Sequence, residues 1–299
     1  MDILKISLIP VLLFAGIGLK LAWKRGPWRY LENFIVYVTY PILMFTEMVR
    51  MNFGAISIAE TIAISLLYMC TCFVVSYALS RRMSRVEMGT VVINSTFFNS
   101  MFLPFPLIYA FYGDLSLALV FSLPYMIVHN TAGVFLASRW GKREGVRWTI
   151  YESVKFPPLI AFAAGLLARP LLGGIASSGE FLLISGFGSL TVYLSLVFAG
   201  LMIPLSRDSL TLRRRVPALI TFIRFLISPL IAAVLIVVLG ISGNMRNTFI
   251  IMSIMPTAFT NVIISSRFGL DVSSTAQSVF IPTFVSIGAT FALKFFGIV

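Results

Sequence analysis

The chain has 299 residues, of which 59% are hydrophobic and 11% charged, and its mean hydropathy is +0.97. A soluble domain of this length carries about 25% charged residues, so a water-exposed globular fold is excluded. The net charge of +12 is scattered over short loops rather than gathered on one face, which excludes a nucleic-acid groove.

The apolar residues fall in blocks of roughly the ~20 residues that a helix needs to cross a bilayer. In chain order these run approximately over 4–22, 30–49, 57–80, 87–112, 116–138, 156–172, 181–205, 217–240, 247–266 and 274–297. No alternating β-barrel pattern appears, which leaves helices as the spanning structure. The first block is followed by Lys20, Trp23, Lys24 and Arg25 rather than by small residues of a cleavage site, so it reads as a helix and not a signal peptide. Cys70 and Cys72 share the third block two positions apart, on different helix faces, and are not expected to pair.

Loop charge alternates strictly. Lys24, Arg25 and Arg29 separate the first two blocks, and Arg81, Arg82 and Arg85 follow the third. Lys142, Arg143 and Arg147 follow the fifth, and Arg207, Arg213, Arg214 and Arg215 the seventh. The intervening loops hold little beyond Arg50, Asp114, Glu180 and Arg246. Basic loops stay in the cytoplasm, so both termini are expected outside. The expectation is an all-α, multi-pass protein of the cell membrane with ten transmembrane helices. Its parts would be a five-helix repeat over 1–140, a cytoplasmic linker over 141–155 and a second five-helix repeat over 156–299. Five is odd, so the second repeat is inverted, the common plan of secondary transporters. The runs Phe111-Tyr112-Gly113-Asp114 and Phe268-Gly269-Leu270-Asp271 fall at equivalent points of the halves. They read equally as a repeat echo or as ordinary punctuation, Gly ending one helix and Asp capping the next.

The fourth and ninth blocks are unlike the others. The fourth carries Asn94, Ser95, Asn99, Ser100, Pro104 and Pro106, and the ninth Pro256, Thr257 and Asn261. Proline removes a donor and clashes with the preceding turn, so both helices are expected to break. Broken backbone at membrane depth survives only where protein buries it or a cavity wets it, and half-helix N-termini there suit an anionic group.

The stretch from Asn99 to Leu107, running on to Tyr112-Gly113, resembles the Asn-Thr…Gly-x-Pro-Leu…Tyr-Gly signature of the auxin efflux carrier family. Met255-Pro256, followed by Arg267-Phe268-Gly269 and Asp271, is similar to that family's second crossover, and Ala59-Glu60-Thr61 to the Ala-Asp-Thr of plant PIN-formed exporters. Pro104 departs from the pattern, standing where the family usually has Gly. The resemblance implies the ten-helix fold of bile-acid sodium symporters, with helices 1, 2, 6 and 7 as scaffold and helices 3–5 and 8–10 as a moving core. It implies a small organic anion such as an auxin, malate or malonate as substrate, with Asn99 at the crossover touching its carboxylate, and Pro106 and Pro256 marking the breaks. Ser100, Pro104, Asn130, Thr257 and Asn261 complete the candidate binding set. The lipid bilayer is the other partner, and a homodimer follows by analogy of fold.

Candidates for proton or ion coupling are few. Ser57 to Glu60 fits a capping box, while Glu60 also matches the family's acidic position. Glu47 lies three residues before Arg50, as an interfacial ion pair would, or serves a coupling ion. His129, beside Asn130, is either a proton relay or a neutral, hydrogen-bonded imidazole. Arg224 is expected to snorkel to the cytoplasmic interface. No Asp-Asp-x-x-Asp, His cluster or Gly-x-Ser-x-Gly motif occurs, so neither an enzyme nor a bound cofactor or metal is expected. The alternatives are a sodium-coupled bile-acid-type symporter and a drug/metabolite exporter with both termini inside.

Overall fold

The computed structural model describes residues 3–23, 26–51, 55–141, 157–205 and 215–299. The described residues are helical, without strands. Helix α1 covers Ile3–Ala22. Helix α2 runs through Trp28–Phe34, a π-helical turn at Ile35–Thr39, and Tyr40–Arg50. Then come α3 (Ala55–Ser80), α4 (Arg85–Thr96) and α5 (Pro104–Tyr112). Helix α6 joins Ser116–Val128, a π turn at His129–Gly133, and Val134–Trp140. Helix α7 is Pro157–Leu172, with a 3-10 turn at Gly173–Ile175, and α8 is Gly179–Met202. Helix α9 passes through Arg215–Phe222, a π turn at Ile223–Ile227, and Ser228–Val238. Helices α10 (Gly243–Ser253), α11 (Thr260–Phe268) and α12 (Val272–Phe295) complete the chain. Most of the expected linker over 141–155 lies outside the described residues, as do Lys24, Arg25, Lys142, Arg143, Arg147, Arg207, Arg213 and Arg214.

Six helical stretches among the described residues are long and apolar enough to cross a membrane: Ser57–Ser80, Ser116–Trp140, Pro157–Ile175, Gly179–Met202, Arg215–Val238 and Val272–Phe295. A shorter apolar helix covers Ser7–Ala22. Their outward residues are those a lipid solvent accepts: Leu167 is 80% exposed, Leu171 83% and Val237 80%. The polar residues turn inward instead. On α12 the buried face is Ser274, Thr275, Ser278, Thr283, Ser286 and Thr290. Most of these hydroxyls donate back to a carbonyl one turn earlier, as Thr283 does to Val279 at 2.7 Å.

The chain divides into two compact units. Unit 1 comprises Met1–Ile58, Met101–Val120 and Thr149–Met202; unit 2 comprises Ala59–Ser100, Phe121–Trp148 and Ile203–Val299. Unit 1 therefore holds α5 with α1, α2, α7 and α8, whereas the scaffold expectation had assigned all of the fourth block to the other body. The reason is packing: α5 lies against α1 and α8.

Unit 1 is held by close backbone approach. A methyl group added at Gly16 of α1 would run into the Val197 carbonyl oxygen, and one at Gly200 of α8 into that of Leu13. Helix α2 approaches α7 at Gly165 and α8 at Gly188 in the same manner. Lipid tails are as apolar as leucine, so intimate contact between small residues is what drives such helices together. In unit 2, α4 packs against α6, α9 and α12, with Val91, Val216, Ile220 and Ile223 forming a dry contact between α4 and α9. Its start is fixed by a capping box: Ser84 N–H donates to Glu87 Oε2 at 3.1 Å, and Glu87 N–H to Ser84 Oγ at 3.4 Å. The capping box expected at Ser57 and Glu60 is absent, because α3 already begins at Ala55 and places Ser57 inside its first turn.

Replacing Gly200 with Ala is expected to lower the melting temperature of the detergent-purified protein, since overpacking costs about 1–3 kcal/mol. Gly18, on the same helix as Gly16 with nothing within 4 Å of an added methyl, is the control: Gly18→Ala leaves the transition unchanged. Equal transitions for the two variants would show that the α1–α8 contact is not tight.

Candidate functional site

Two helices stop inside apolar blocks. The first interruption, residues 97–103, separates α4 from α5, and the second, 254–259, separates α10 from α11. Pro104 is the first residue of α5 after its N-cap Leu103, where the missing N–H costs no helical bond. Phe97 adopts extended backbone. The interrupted strands meet within unit 2, running antiparallel about a bridge between Phe98 and Thr257. Asn99 N–H donates to the Pro256 carbonyl at 2.8 Å, and Ala258 N–H to that of Phe97 at 3.2 Å.

Each helix end leaves carbonyls without intrahelical partners, and here side chains take them up. Thr257 Oγ1 donates to the Asn94 carbonyl at 2.9 Å, and Ser286 Oγ to that of Ile254 at 2.7 Å. Asn261 Nδ2 donates to the Phe97 carbonyl at 2.9 Å and, more weakly, to that of Ile93 at 3.4 Å. Arg224 takes the carbonyls of Ser95, Ser253 and Met255.

These bonds fix an orientation. Carbonyl oxygens only accept, so the NH₂ group of Asn261 must face Phe97 and Ile93, and its Oδ1 faces His129 Nε2 at 2.7 Å. Nε2 therefore carries the proton and donates. The imidazole also stacks on Phe97, with ring centroids 4.7 Å apart and planes at 20°. In this structure the imidazole of His129 is hydrogen-bonded through Nε2. Gly133, one turn on, leaves room for that stack: a methyl there would sit 2.9 Å from the Phe97 ring.

Arg224 overturns the snorkelling expectation. Its residue is 1% exposed, and its guanidinium points into unit 2 rather than to an interface. Position in the sequence, early in an apolar block, gave the wrong reading because the carbonyls that hold it lie 29, 31 and 129 residues away. Arg224 and His129 each lie in a π-helical turn, a local insertion that redirects side chains and recurs at functional sites.

The remaining candidates divide. Asn99, Ser100, Pro256, Thr257 and Asn261 are gathered at the interruption of unit 2 and are buried. Asn130 is exposed, within the π turn of α6. Pro104 and Pro106 are buried at the start of α5 in unit 1. Between them Phe105 N–H already donates to the Met101 carbonyl at 3.3 Å, so this helix start offers fewer free donors than expected. At the start of α11, Asn261 and Val262 N–H are likewise taken, by the carbonyls of Ala258 and Phe259.

The charges of Glu47 and Arg50 interact. Ser116 Oγ donates to Glu47 Oε2 at 3.5 Å and Arg50 Nη1 to Ser185 Oγ at 3.0 Å, while both line a cavity of 190 Å³ in unit 1 with Asp114. Glu60 is exposed at the edge of a hollow of 590 Å³ lined by Leu239, Gly240 and Ile241. The two punctuation marks share their glycine but not their cap: Asp271 is the N-cap of α12, whereas Asp114 stands two residues before α6. Gly113 and Gly269 are left-handed, with φ of 69° and 72°. Asp114 Oδ1 accepts from Ser116 N–H at 2.8 Å and Asp271 Oδ1 from Ser274 N–H at 3.0 Å.

The apolar spanning helices fit a multi-pass membrane protein, and similarity to known proteins makes it one of transport. The chain matches the membrane transport protein family over residues 6–156 and 149–294. It is 25% identical over 297 residues to an uncharacterized transporter of Methanocaldococcus jannaschii, covering 96% of this chain and 95% of that one. It is 26% identical over 266 residues to an uncharacterized transporter of Methanothermobacter thermautotrophicus, covering 86% and 85%. The chain belongs to the membrane transport protein family, that of the auxin efflux carriers.

Asn261→Ala is expected to lower stability by about 2 kcal/mol, because carbonyls and an imidazole lose their partner in a buried place. Asn261→Asp is expected to cost more, since its oxygens face two carbonyl oxygens. Thermal unfolding in detergent measures the order; an aspartate variant as stable as the wild type would mean the amide is not oriented as described.

Proposed function

We propose that this protein is a secondary-active carrier, of the efflux type, for a small organic anion. In this reading the ten apolar blocks are ten spans of a cell-membrane protein with both termini outside. The interrupted helices are the crossover helices of two inverted repeats, and transport proceeds by alternating access. The observation that carries it is the pairing of the two interruptions, one from each half of the chain, through the Asn99–Pro256 and Ala258–Phe97 bonds. A transporter that needed only to span the membrane would not retain two breaks that require so many side chains to satisfy.

The chemistry narrows the binding residues. Asn261 and Thr257 spend their donors on carbonyls, so their part is to hold the strands. Asn99 and Ser100, buried in the first interrupted strand, are the residues assigned to the substrate carboxylate. The rings of Phe97 and Phe98 beside them suit an apolar body on that carboxylate.

A specific observation favours sodium coupling as the second reading. Asn94 Oδ1, Ser95 Oγ, Thr96 Oγ1 and Gln277 Oε1 are buried in unit 2 without hydrogen-bond partners. Such oxygens suit a hard cation or ordered water.

The test is thermal stabilisation of the purified protein by a panel including malonate and indole-3-acetate, with and without sodium. A ligand of the folded state raises the melting temperature with the logarithm of its concentration. One carboxylate is expected to stabilise the wild type and to bind Asn99→Ala about tenfold or more weakly, the worth of one charge-assisted hydrogen bond. Stabilisation by sodium alone selects the symporter, and stabilisation by cationic compounds alone refutes the anion carrier.

A further inference from the structure

Arg224 is a buried charge, and among the described residues its hydrogen-bond partners are carbonyls and a hydroxyl, not a carboxylate. Its Nε and Nη2 donate to the Met255 carbonyl at 3.0 and 2.7 Å, and Nη2 also to that of Ser253 at 3.1 Å. Nη1 donates to the Ser95 carbonyl at 3.3 Å and to Ser228 Oγ at 3.2 Å. The face of Phe98 lies 4.7 Å from Cζ, near enough for its ring quadrupole to attract the cation. Ser253 closes α10 and Ser95 lies in the last turn of α4. The guanidinium thus joins the C-terminal ends of both interrupted helices.

Those ends explain how the charge is buried at all. An unpaired cation inside a membrane protein is costly. Each helix C-terminus, however, carries the equivalent of about half a negative elementary charge. Two such ends together balance about one guanidinium. The balance works in both directions: Arg224 needs the ends, and the ends, left alone, would make the interruption electronegative. With the C-termini neutralised, what remains of the positive end of α11 meets no opposing helix end; α11 starts at Thr260 beside the same interruption, with the N–H groups of Asn261 and Val262 already bonded.

We infer that Arg224 is the positioning residue that fixes the two interrupted strands against each other and sets the site's preference for negative charge. The second half of this inference rests on the anion-carrier reading; the first does not. Arginine is required for its shape as well as its charge. Its rigid fork reaches carbonyls on two helices at once, whereas a lysine ammonium concentrates its donors at one atom.

The experiment uses the full chain as wild type, Arg224→Lys and Arg224→Met, with two readouts. The first is hydrogen exchange of the segments covering residues 97–100 and 254–259, compared with α8 in unit 1. Both variants are expected to exchange there at least tenfold faster, with α8 unchanged. The second is affinity for malonate and indole-3-acetate. Arg224→Met is expected to lose at least tenfold in whichever of these the wild type binds, and Arg224→Lys less, because the charge remains.

Unchanged exchange at the interruption in both variants overturns the positioning role, whatever the binding shows. Faster exchange throughout both units, with α8 included, also overturns it, since that is general destabilisation. Should Arg224→Met not fold, Arg224→Lys decides the same question by exchange. Wild-type affinity in Arg224→Met overturns the charge preference alone. If the wild type binds neither carboxylate while local exchange rises in the variants, the anion reading falls and the positioning role stands.

Discussion

A backbone carbonyl or N–H without a partner inside a membrane protein costs several kcal/mol, and this chain stops being helical twice within apolar blocks. Much of the polar chemistry of unit 2 can be traced to that constraint. Thr257 and Asn261, Ser286, and Arg224 come from three separate places in the sequence, and each donates to a carbonyl at or beside an interruption. The interrupted strands satisfy part of the remainder by pairing with each other. What results is a short piece of β-like contact inside a helical protein, built where neither a helix nor water could serve.

The two units use different means of cohesion. Unit 1 relies on glycines that bring helix backbones into contact, as between α1 and α8. Unit 2 relies on directed hydrogen bonds among buried Ser, Thr, Asn and Arg. Packing of small residues tolerates little change of volume, while a hydrogen-bonded network tolerates little change of donor geometry. A binding site belongs with the second kind, because a network of oriented dipoles can be complementary to one sign of charge.

Within that network some side chains serve to orient others. The amide of Asn261 is turned by its carbonyl partners, and it in turn fixes which nitrogen of His129 carries a proton. A positioned donor is of use to a ligand only if its own orientation is settled beforehand. The π turns at His129 and Arg224 serve the same end, aiming two unusual side chains at the interruption from different helices.

The sequence by itself determined the solvent, the helices and the places where they break. Block length and composition decide whether a segment crosses lipid, and proline acts on its own immediate neighbours, so both are local properties. Gly113 and Gly269 as left-handed C-caps, and Asp271 as an N-cap, were legible for the same reason: such caps are made within a few residues. The start of α3 was less so, because Ser57 fits a capping pattern that the helix, beginning at Ala55, does not use. The tertiary structure alone decided what Arg224, Asn261 and His129 do. Apart from Ser228, four residues from Arg224, the hydrogen-bond partners of these side chains lie 29 to 168 residues away, and a charged side chain in an apolar block looks the same in sequence whether it snorkels or is buried. Only folding brings two helix C-termini to one guanidinium, and only their combined dipole makes the interior the better place for it.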